Sequence, residues 1–591
     1  RKAVTGTRNP TSGTWWTALT SIRRGLFGDF VNNRSKYISS ALLLVITSIC
    51  IKVIGAIYKI PLTAYIGAVG RGYFAAAYTV CLPVHALTMG CLPVALSRLV
   101  SKYNANSNKT AIVGLKFASS KLFCVVGFVG MCVVLIVAYP YSVFIADAPK
   151  SVYTIVALAP SVFFSCLAAS YRGYYEGFQN MVPTSVSQFI EAVSKMILGI
   201  AFAKLSVLYM FSQYSQTGKI FSNAVLSDRQ AFSVIYPYAA AAAMLGVTIG
   251  AILSWLYTAV YYAINDKIKI KPQKAQVKYA KSELISFAMP IMISCAVQSV
   301  FQFLDTATIQ KALSLIDKDA LRLAYSDTLS VADIQDSELS TFLYGVYNAA
   351  LDFKNLVPGI TMALGVASVP AISAACEKED NAHLSYLVNS IYKYSSLASM
   401  LGGLLLIICG DDALSVFYSS SSPELVTACS PLVKLFGLVV PVFSLVGTVV
   451  FSVQAIGCPE KSIKSYVVAG VIRVALNIIL VMNRHLVLAG AILSDTAGYT
   501  VMLIMNCAVM KKQRNIKFDF VTVILKPLLA FGVSYYLSIY VISHIKYVFS
   551  PLPGMIVKAI IPTAVFCILC FSLKLLNFDN KILTRKPKKT A

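Results

Sequence analysis

The sequence of 591 residues has few charged side chains: Asp, Glu, Lys and Arg together make up 13%. An ordinary soluble chain has about a quarter charged residues and about half apolar ones or fewer. This chain is 57% apolar and has a mean hydropathy of +0.71. Disorder is excluded as well, because it requires low hydrophobicity. The composition therefore predicts a polytopic membrane protein.

Motifs of catalysis and metal binding are also missing. The chain has 4 histidines, and it contains no HExxH, Walker lysine motif, GxSxG elbow or Cys/His cluster with metal-ligand spacing. We therefore expect neither an enzyme nor a resident metal or cofactor. Acidic residues are few too, 25 against 51 Lys and Arg, which leaves a net charge of +26. These cations are scattered over loops and not gathered on a soluble domain, so nucleic acid is not an expected partner.

Long apolar runs are what the sequence does contain. About 20 apolar residues cross a bilayer as a helix, because the backbone polar groups must be satisfied within the segment. We predict an all-α protein with fourteen transmembrane helices, at 38–64, 73–100, 117–139, 150–171, 183–208, 234–264, 283–304, 341–376, 390–410, 426–456, 463–482, 485–509, 520–544 and 555–576.

Loop charges orient these predicted helices. Most Lys and Arg residues outside the runs fall on alternate loops, on the side of the two basic ends of the chain. Cytoplasmic loops carry such an excess. Residues 1–37 contain no apolar core with a cleavage site, so the first run is expected to be an uncleaved anchor. The sequence predicts a multi-pass protein with both termini in the cytoplasm.

A lysine-rich segment with Pro272 divides the chain near its middle, after six runs. Residues 90–98 and 365–375 repeat a pattern of Gly and Pro followed by small or polar residues, which predicts two parallel six-helix repeats with a site between them. The predicted organisation is a basic tail (1–37), an N-lobe (38–264), a basic linker (265–282), a C-lobe (283–509), two extra helices (510–576) and a second basic tail (577–591).

Two lysines of the first run, Lys52 and Lys59, lie seven residues apart. On a helix this spacing places both ammonium groups on one face, about 10.5 Å apart. Burying Lys52 near the middle of the run costs roughly 2.5–3.5 kcal/mol, so we expect it to face protein or water. Residues 38–72 contain no Asp or Glu, and the lack of a local counter-ion favours an anionic ligand.

Arg71, on the outward side, and His85, in the second run, are candidates to extend this cationic surface. Structural roles are the alternatives: Lys59 would anchor an interface, and His85 would hydrogen-bond a neighbouring carbonyl. Further candidates are Asp352 and Lys354, whose spacing of two directs them to different helix faces, and Arg473 near the middle of the eleventh run.

Other charged residues have a structural interpretation. Glu191 and Lys195 are four residues apart, which predicts an ion pair within the fifth run. Lys434 is expected to reach the outer interface, and Lys558 to extend its ammonium group to the membrane surface. The acids of 305–338 lack the ligand rhythm of a calcium loop and predict a solvated loop.

Several motifs resemble a known family. They are KVIGAIYKIPL at 52–62, IGAVG at 66–70, GCLPVALS at 90–97, YRGYYEGFQNMVPT at 171–184 and VPAIS at 369–373. They resemble the stage V sporulation protein B and polysaccharide-biosynthesis branch, related to MurJ, of the multidrug/oligosaccharidyl-lipid/polysaccharide exporter superfamily. The resemblance extends over all fourteen predicted helices.

This resemblance implies a flippase of the bacterial cytoplasmic membrane that moves lipid-linked sugars by alternating access of two lobes. Lys52 and Lys59 match cationic positions that line the family's cavity for the substrate pyrophosphate. Asp352 and Lys354 lie at or beside charged positions of the eighth helix, and the two extra helices are implied to form a groove for the lipid tail. An Arg-rich stretch is replaced by residues around His85, and an acid beside Arg71 is missing. The expected cargo is therefore an anionic lipid-linked glycan or peptidoglycan precursor, without further identity.

Two other hypotheses stay open. A cation-coupled multidrug antiporter of the same fold would need a buried acid in the first helix, where 38–64 has none. A non-transporting scaffold would recruit cell-wall synthesis proteins through its basic tails, and it would tolerate Lys52→Ala.

Overall fold

The computed structural model describes residues 33–221, 223–225, 227–265, 274–329, 334–419, 422–544 and 551–575. The second predicted basic tail, nearly all of the first and residues 266–273 of the basic linker lie outside these residues. Nearly all of the described chain is helical, as expected from its apolar runs. A hairpin of two-residue strands, β1 (Lys219–Ile220) and β2 (Asn223–Ala224), is antiparallel and pairs Lys219 with Ala224.

The first six helices, with two short π-helical segments, form what we call the first lobe. In chain order they are α1 (Asn33–His85), a π-helix (Ala86–Cys91), α2 (Leu92–Ala105), α3 (Lys109–Pro140), a π-helix (Tyr141–Ile145), α4 (Ser151–Gly177), α5 (Val182–Thr217) and α6 (Asp228–Asn265).

The rest of the described chain contains a connecting helix, two short helices, the second lobe (α10–α14) and two final helices. They are α7 (Lys274–Leu315), α8 (Lys318–Ala324), α9 (Ser326–Leu329), α10 (Leu339–Glu377), α11 (Asn381–Tyr418), α12 (Pro423–Ala455), α13 (Pro459–Val481), α14 (Leu488–Arg514), a π-helix (Val521–Leu525), α15 (Lys526–His544) and α16 (Pro551–Ser572).

A break at Gly67 divides α1, where the sequence predicts a loop between two spans. Gly67 has φ 65° and ψ −179°, a conformation that glycine adopts without a Cβ penalty. A Cβ there would lie 2.8 Å from the ring of Tyr236 on α6. The chain therefore turns at a single residue. We call the end of the bundle near Gly67 the distal end, and the end at which α1 begins the proximal end.

Twelve helices of the described residues are long and apolar enough to cross a membrane, and a bent pair raises this to 13. The pair belongs to α7, which bends by 41° between Met289 and Ile291. One of the twelve, Cys50–Ala105, has 56 residues. At 1.5 Å per residue this is about 84 Å, enough for two crossings of a core about 30 Å thick. The polytopic all-α fold is confirmed, whereas the count of fourteen stays a prediction.

The helix α7 lies between the lobes, although the sequence assigns it to the C-lobe alone. The carbonyl oxygen of Gln276 lies 3.5 Å from the Cβ position of Gly114 on α3, in the first lobe. Further along, Phe301 packs on Gly470 of α13 in the second lobe. The final helices, α15 and α16, pack on α11 through an apolar cluster that includes Leu404 and Phe566.

Direct helix-to-helix contacts join the lobes at the distal end. The Cβ position of Gly72 on α1 lies 2.1 Å from the carbonyl oxygen of Thr341 on α10, and that of Gly345 lies 2.2 Å from the carbonyl oxygen of Ala68. Only glycine allows backbones to approach so closely. Nearby, the hydroxyls of Thr79 and Tyr344 are 2.9 Å apart. The distal end is closed by contacts between α1 and α10.

Candidate functional site: cations between the two lobes

Two cations of the first lobe converge on one carboxylate of the second. The Lys59 ammonium group donates to Asp352 Oδ1, and the Arg71 guanidinium donates from Nη2 to Asp352 Oδ2. The Arg71 side chain is 4% exposed, whereas those of Lys59 and Asp352 are 32% and 23% exposed. The three residues, which we call the interlobe cluster, tie α1 to α10.

Neighbouring hydroxyl groups fix the orientation of Arg71. Its Nη1 donates to Thr63 Oγ1 at 2.8 Å, two turns earlier on α1, and to the Tyr418 hydroxyl at 3.3 Å, at the end of α11. Thr63 in turn donates to the Lys59 carbonyl at 2.7 Å. A guanidinium held in this way presents its planar set of donors in a fixed direction, which suits the oxygens of a carboxylate or a phosphate.

Lys52 lies on the same face of α1, as its spacing from Lys59 predicts. Its ammonium nitrogen is 3.8 Å from the Cβ position of Gly359, two turns along α10 from Asp352. Lys52 lies beside Gly359, and Lys59 lies beside Asp352. The helices α1 and α10 therefore run antiparallel. Lys52 is exposed and makes no hydrogen bond with the described residues. Its ammonium group is available to a ligand between the lobes.

This cationic face has no counter-ion on its own helix, as the sequence indicates, but it has one on another helix. The first run has no acid, but α10 supplies Asp352 at a sequence separation of 293 residues from Lys59 and 281 from Arg71. The alternative in which Lys59 only anchors an interface is not what the structure shows, because its ammonium group is engaged between the lobes. An anionic ligand at this place has to compete with Asp352.

His85 does not join the interlobe cluster. It ends α1, just before the π-helix Ala86–Cys91, and its ring nitrogens lie 3.4 Å from Ser161 Oγ and 3.2 Å from Met89 Sδ. The partners are thus a hydroxyl and a thioether and not the carbonyl of the structural alternative. His85 belongs to the interior of the first lobe.

The predicted pair of Glu191 and Lys195 does not form. Glu191 accepts from Arg172 Nη2 of α4 at 2.9 Å, and Lys195 donates to the Tyr78 hydroxyl at 2.7 Å. The Arg172 guanidinium also donates to Ser187 and Ser254, so it joins α4, α5 and α6. A spacing of four permits an ion pair but does not select it over a better-placed partner.

Asp352 and Lys354 do point to different faces, as predicted. The Lys354 ammonium group lies over the rings of Phe443 and Phe436 of α12, at 4.4 and 5.4 Å from their centroids. Its side chain faces the interior of the second lobe and interacts electrostatically with the buried acids Asp495 and Asp305. Lys354 is therefore outside the interlobe cluster.

Arg473 lies with those acids in a second charged group, the second-lobe cluster. Its Nη1 is 3.3 Å from Asp305 Oδ2 of α7 and 3.6 Å from Asp495 Oδ1 of α14. Asn477, one turn further on α13, donates to Asp305 Oδ1 at 2.8 Å. The side chains of Arg473, Asp305 and Asp495 are 4%, 12% and 7% exposed, and with Lys354 nearby two cations face two acids inside the protein.

Asp305 is thus not part of a solvated loop, because α7 continues to Leu315 and places it inside the bundle. Asp495 is not among the candidates predicted from the sequence. A lone acid within an apolar run is nevertheless a signal of a paired or functional charge. Lys558 also differs from expectation: it pairs with Asp412 of α11 at 2.8 Å and so attaches α16 to the second lobe. Lys434 pairs with Asp411 at 2.6 Å.

Comparisons with known proteins agree with this architecture. A family model described as "Polysaccharide biosynthesis protein" matches residues 38–376, more than half of the chain. The chain is 21% identical over 484 residues to stage V sporulation protein B of Bacillus subtilis (strain 168), covering 81% of this chain and 84% of that protein. It is 22% identical over 500 residues to the lipid II flippase MurJ of the same organism, covering 81% and 83%.

Solved structures share the fold. The lipid II flippase MurJ in an inward closed conformation superposes with a TM-score of 0.63 at 15% identity, over 91% of this chain and 100% of that one. An inward-facing multidrug resistance MATE family transporter of the MOP superfamily gives a TM-score of 0.58 at 13% identity, over 78% and 94%. The chain is a multi-pass membrane protein with this transporter fold, and it belongs to the polysaccharide biosynthesis protein family.

Proposed function

We propose that this protein is a flippase that moves an anionic lipid-linked oligosaccharide or peptidoglycan precursor across the bacterial cytoplasmic membrane by alternating access. The observation that carries the proposal is the row of Lys52, Lys59 and Arg71 along the junction of the lobes. The similarity to a sporulation protein and to a lipid II flippase supports the same class of cargo.

A pyrophosphate group fits the chemistry of this row. Lys59 and Arg71 each bind one oxygen of Asp352, so the carboxylate occupies the place that two oxygens of a phosphate would take. A pyrophosphate carries more charge and more acceptor oxygens than a carboxylate. Opposite charges 4 Å apart attract by about 4 kcal/mol at an effective dielectric constant of 20. Lys52, about 10.5 Å further along α1, would hold the more distant part of the headgroup.

Competition with Asp352 couples cargo binding to opening. Asp352 belongs to α10, and its contacts with Lys59 and Arg71 help to hold α1 and α10 together at the distal end. A headgroup that takes over both cations releases α10. The remaining distal contacts, such as Lys150 with Glu338 at 3.5 Å, then separate as the lobes rotate. We expect the predicted N-lobe and C-lobe, 38–264 and 283–509, to be the units that move.

In this proposal the proximal end faces the cytoplasm, and both termini lie there. The excess of Lys and Arg on that side supports the orientation. Alkaline phosphatase fused after residue 591 would then be inactive in cells, whereas the same enzyme inserted into the distal loop at 147–150 would be active. The reverse pattern would contradict the orientation.

Transport into proteoliposomes tests the function. Full-length protein would be reconstituted with a fluorescent lipid-linked disaccharide pyrophosphate, and the fraction that becomes accessible to an impermeant quencher would be followed over time. We expect flux for the unaltered protein and a loss of tenfold or more for Lys59→Gln. Lys434→Gln is the matched control, because it removes a Lys–Asp pair of the second lobe away from the junction. Equal flux from the two variants, or no flux above protein-free liposomes, would contradict the proposal.

The antiporter alternative has one observation in its favour, since the second-lobe cluster contains two buried acids. These acids already face Arg473, and Glu191 of the first lobe already faces Arg172. An acid that is balanced inside the protein has less need of an external cation. Extrusion of ethidium driven by a proton gradient in the same liposomes would support this alternative. The scaffold hypothesis expects loss of function in cells on deletion of residues 1–32 and 577–591, full function in Lys52→Ala, and no flux in liposomes.

A further inference from the structure

A second charged cavity lies at the proximal end, on the opposite side of the bundle from the interlobe cluster. It has a volume of about 710 Å³, and its walls come from the end of α2 and from the first part of α7, before the bend. The residues that give it its chemistry are Arg98 and Lys102 on α2, and Glu283, Ser286 and Phe287 on α7.

One of the two cations in this cavity is paired with a carboxylate of the described residues, and the other is not. The Lys102 ammonium group donates to Glu283 Oε1 at 3.0 Å, and the Tyr103 hydroxyl donates to Glu283 Oε2. Arg98 lies over the ring of Phe287, with 4.8 Å between the guanidinium carbon and the ring centroid, and it makes no hydrogen bond with the described residues. The cavity thus contains two cations of the first lobe, and Glu283 of α7 pairs with one of them, Lys102.

The surface beside the cavity suits a lipid chain. Ser286 and Met289 lie three residues apart on the first part of α7, so they share a helix face, and Ile293 follows just beyond the bend. Met289 and Ile293 are 47% and 57% exposed. A ligand with its headgroup in the cavity can therefore lay an apolar chain along α7 towards the membrane interior. A free nucleotide or inorganic phosphate would make no use of this apolar extension.

From these observations we infer that the proximal cavity is the first binding site for the pyrophosphate headgroup of a lipid-linked substrate. Arg98 and Lys102 bind the phosphates, and the phosphates displace Glu283 from Lys102. Losing Glu283 from Lys102 and Tyr103 removes the polar contacts between α7 and α2, which stay packed through apolar residues such as Leu284 and Leu96. The headgroup then passes between the lobes towards Lys52. The inference rests on the proposed function, because it adds a site at the proximal end to the cations at the junction of the lobes.

Protection of a cysteine placed in the cavity tests the inference at this site alone. Ser286→Cys in the full-length protein would be alkylated with N-ethylmaleimide, and its labelled fraction would be measured by peptide mass spectrometry. The probes are farnesyl pyrophosphate, farnesol and phosphatidylglycerol. We expect farnesyl pyrophosphate to protect, and farnesol, which lacks the phosphates, to leave labelling unchanged. Arg98→Gln should raise the half-protecting concentration tenfold or more, because charge-assisted hydrogen bonds are strong.

Glu283→Gln provides a test with the opposite sign. Removing the resident carboxylate should lower the half-protecting concentration about tenfold, a gain that general damage to the fold does not produce. Lys109→Gln, an exposed cation at the start of α3 on the same end, should change nothing. Equal protection in Arg98→Gln and Lys109→Gln would overturn the inference, as would protection by farnesol. Equal protection by phosphatidylglycerol would contradict a pyrophosphate site and would instead indicate a surface that binds acidic lipids in general.

Transport in the same proteoliposomes separates the two claims. Flux of the lipid-linked disaccharide without protection at Ser286→Cys would contradict the proximal site and leave the flippase function standing. Protection without flux would support the proximal site and contradict transport.

Discussion

The closed distal end depends on two glycines, and adding one methyl group should force it open. In Gly345→Ala the new Cβ would lie 2.2 Å from the carbonyl oxygen of Ala68, less than the 3.4 Å or more of an ordinary contact. The obstructing atom belongs to the backbone of α1 and cannot rotate away. The two helices must therefore move apart by about 1 Å at a place that also holds Asp352 against Lys59. Such overpacking costs about 1–3 kcal/mol.

A cost of this size shifts the balance between closed and open distal ends by about 5- to 150-fold. Cys429 of α12 reports on the change, because it is fully buried and lies close enough to Arg71 of α1 to interact with it electrostatically. We expect its alkylation by N-ethylmaleimide in liposomes, followed by peptide mass spectrometry, to accelerate in Gly345→Ala. The unaltered protein should react slowly.

Gly55→Ala is the control, because a Cβ at this position of α1 meets nothing within 4 Å. It tests whether the alanine substitution itself changes the helix. If Gly345→Ala and Gly55→Ala label Cys429 at the same rate, the close approach of α1 and α10 does not govern the distal end. A slower rate in Gly345→Ala would refute the reasoning outright.

Two further predictions concern stability. Arg473→Met leaves Asp305 and Asp495 without their guanidinium partner. Breaking a buried ion pair in this way costs about 3–5 kcal/mol, so Tm in detergent should fall steeply. The double variant Arg473→Met with Asp305→Asn should recover part of the loss. An unchanged Tm would mean that water already solvates these acids. Gly67→Ala should lower Tm as well, because a φ of 65° with a ψ of −179° costs an alanine about 1–3 kcal/mol. Adding Tyr236→Ala removes the clash but not the φ penalty, so a complete rescue would show that the clash alone matters.

Local spacing predicted the directions of side chains well. A spacing of seven placed Lys52 and Lys59 on the face that meets α10, and a spacing of two separated Asp352 from Lys354. Helix periodicity determines both results, and the fold only has to supply a neighbour. The apolar runs likewise predicted the helices, since a bilayer leaves the backbone few other structures.

The ion-pair partners of these charged residues could not be predicted from the sequence. The counter-ion of Lys59 comes from 293 residues away, and Arg172 replaces Lys195 beside Glu191 because α4 passes close to α5. Neither contact leaves a local pattern. The sequence predicts a loop around Gly67, where the structure has a break at a single residue. A glycine between two apolar runs is compatible with either a loop or a break. Only the fit of Tyr236 against Gly67 distinguishes them.

Binding of a soluble pyrophosphate lipid tests the central claim most directly, namely that Asp352 occupies the place of the cargo's phosphates. Calorimetric titration of farnesyl pyrophosphate into the purified protein, in an Arg98→Gln background that weakens the proximal cavity, gives a Kd for the junction of the lobes. A charge-assisted contact contributes about 1.5–3 kcal/mol, or roughly ten- to 150-fold in affinity. We expect Lys59→Gln to weaken binding by this factor and Asp352→Asn to tighten it. Weaker binding in both variants, or no change in either, would contradict the claim.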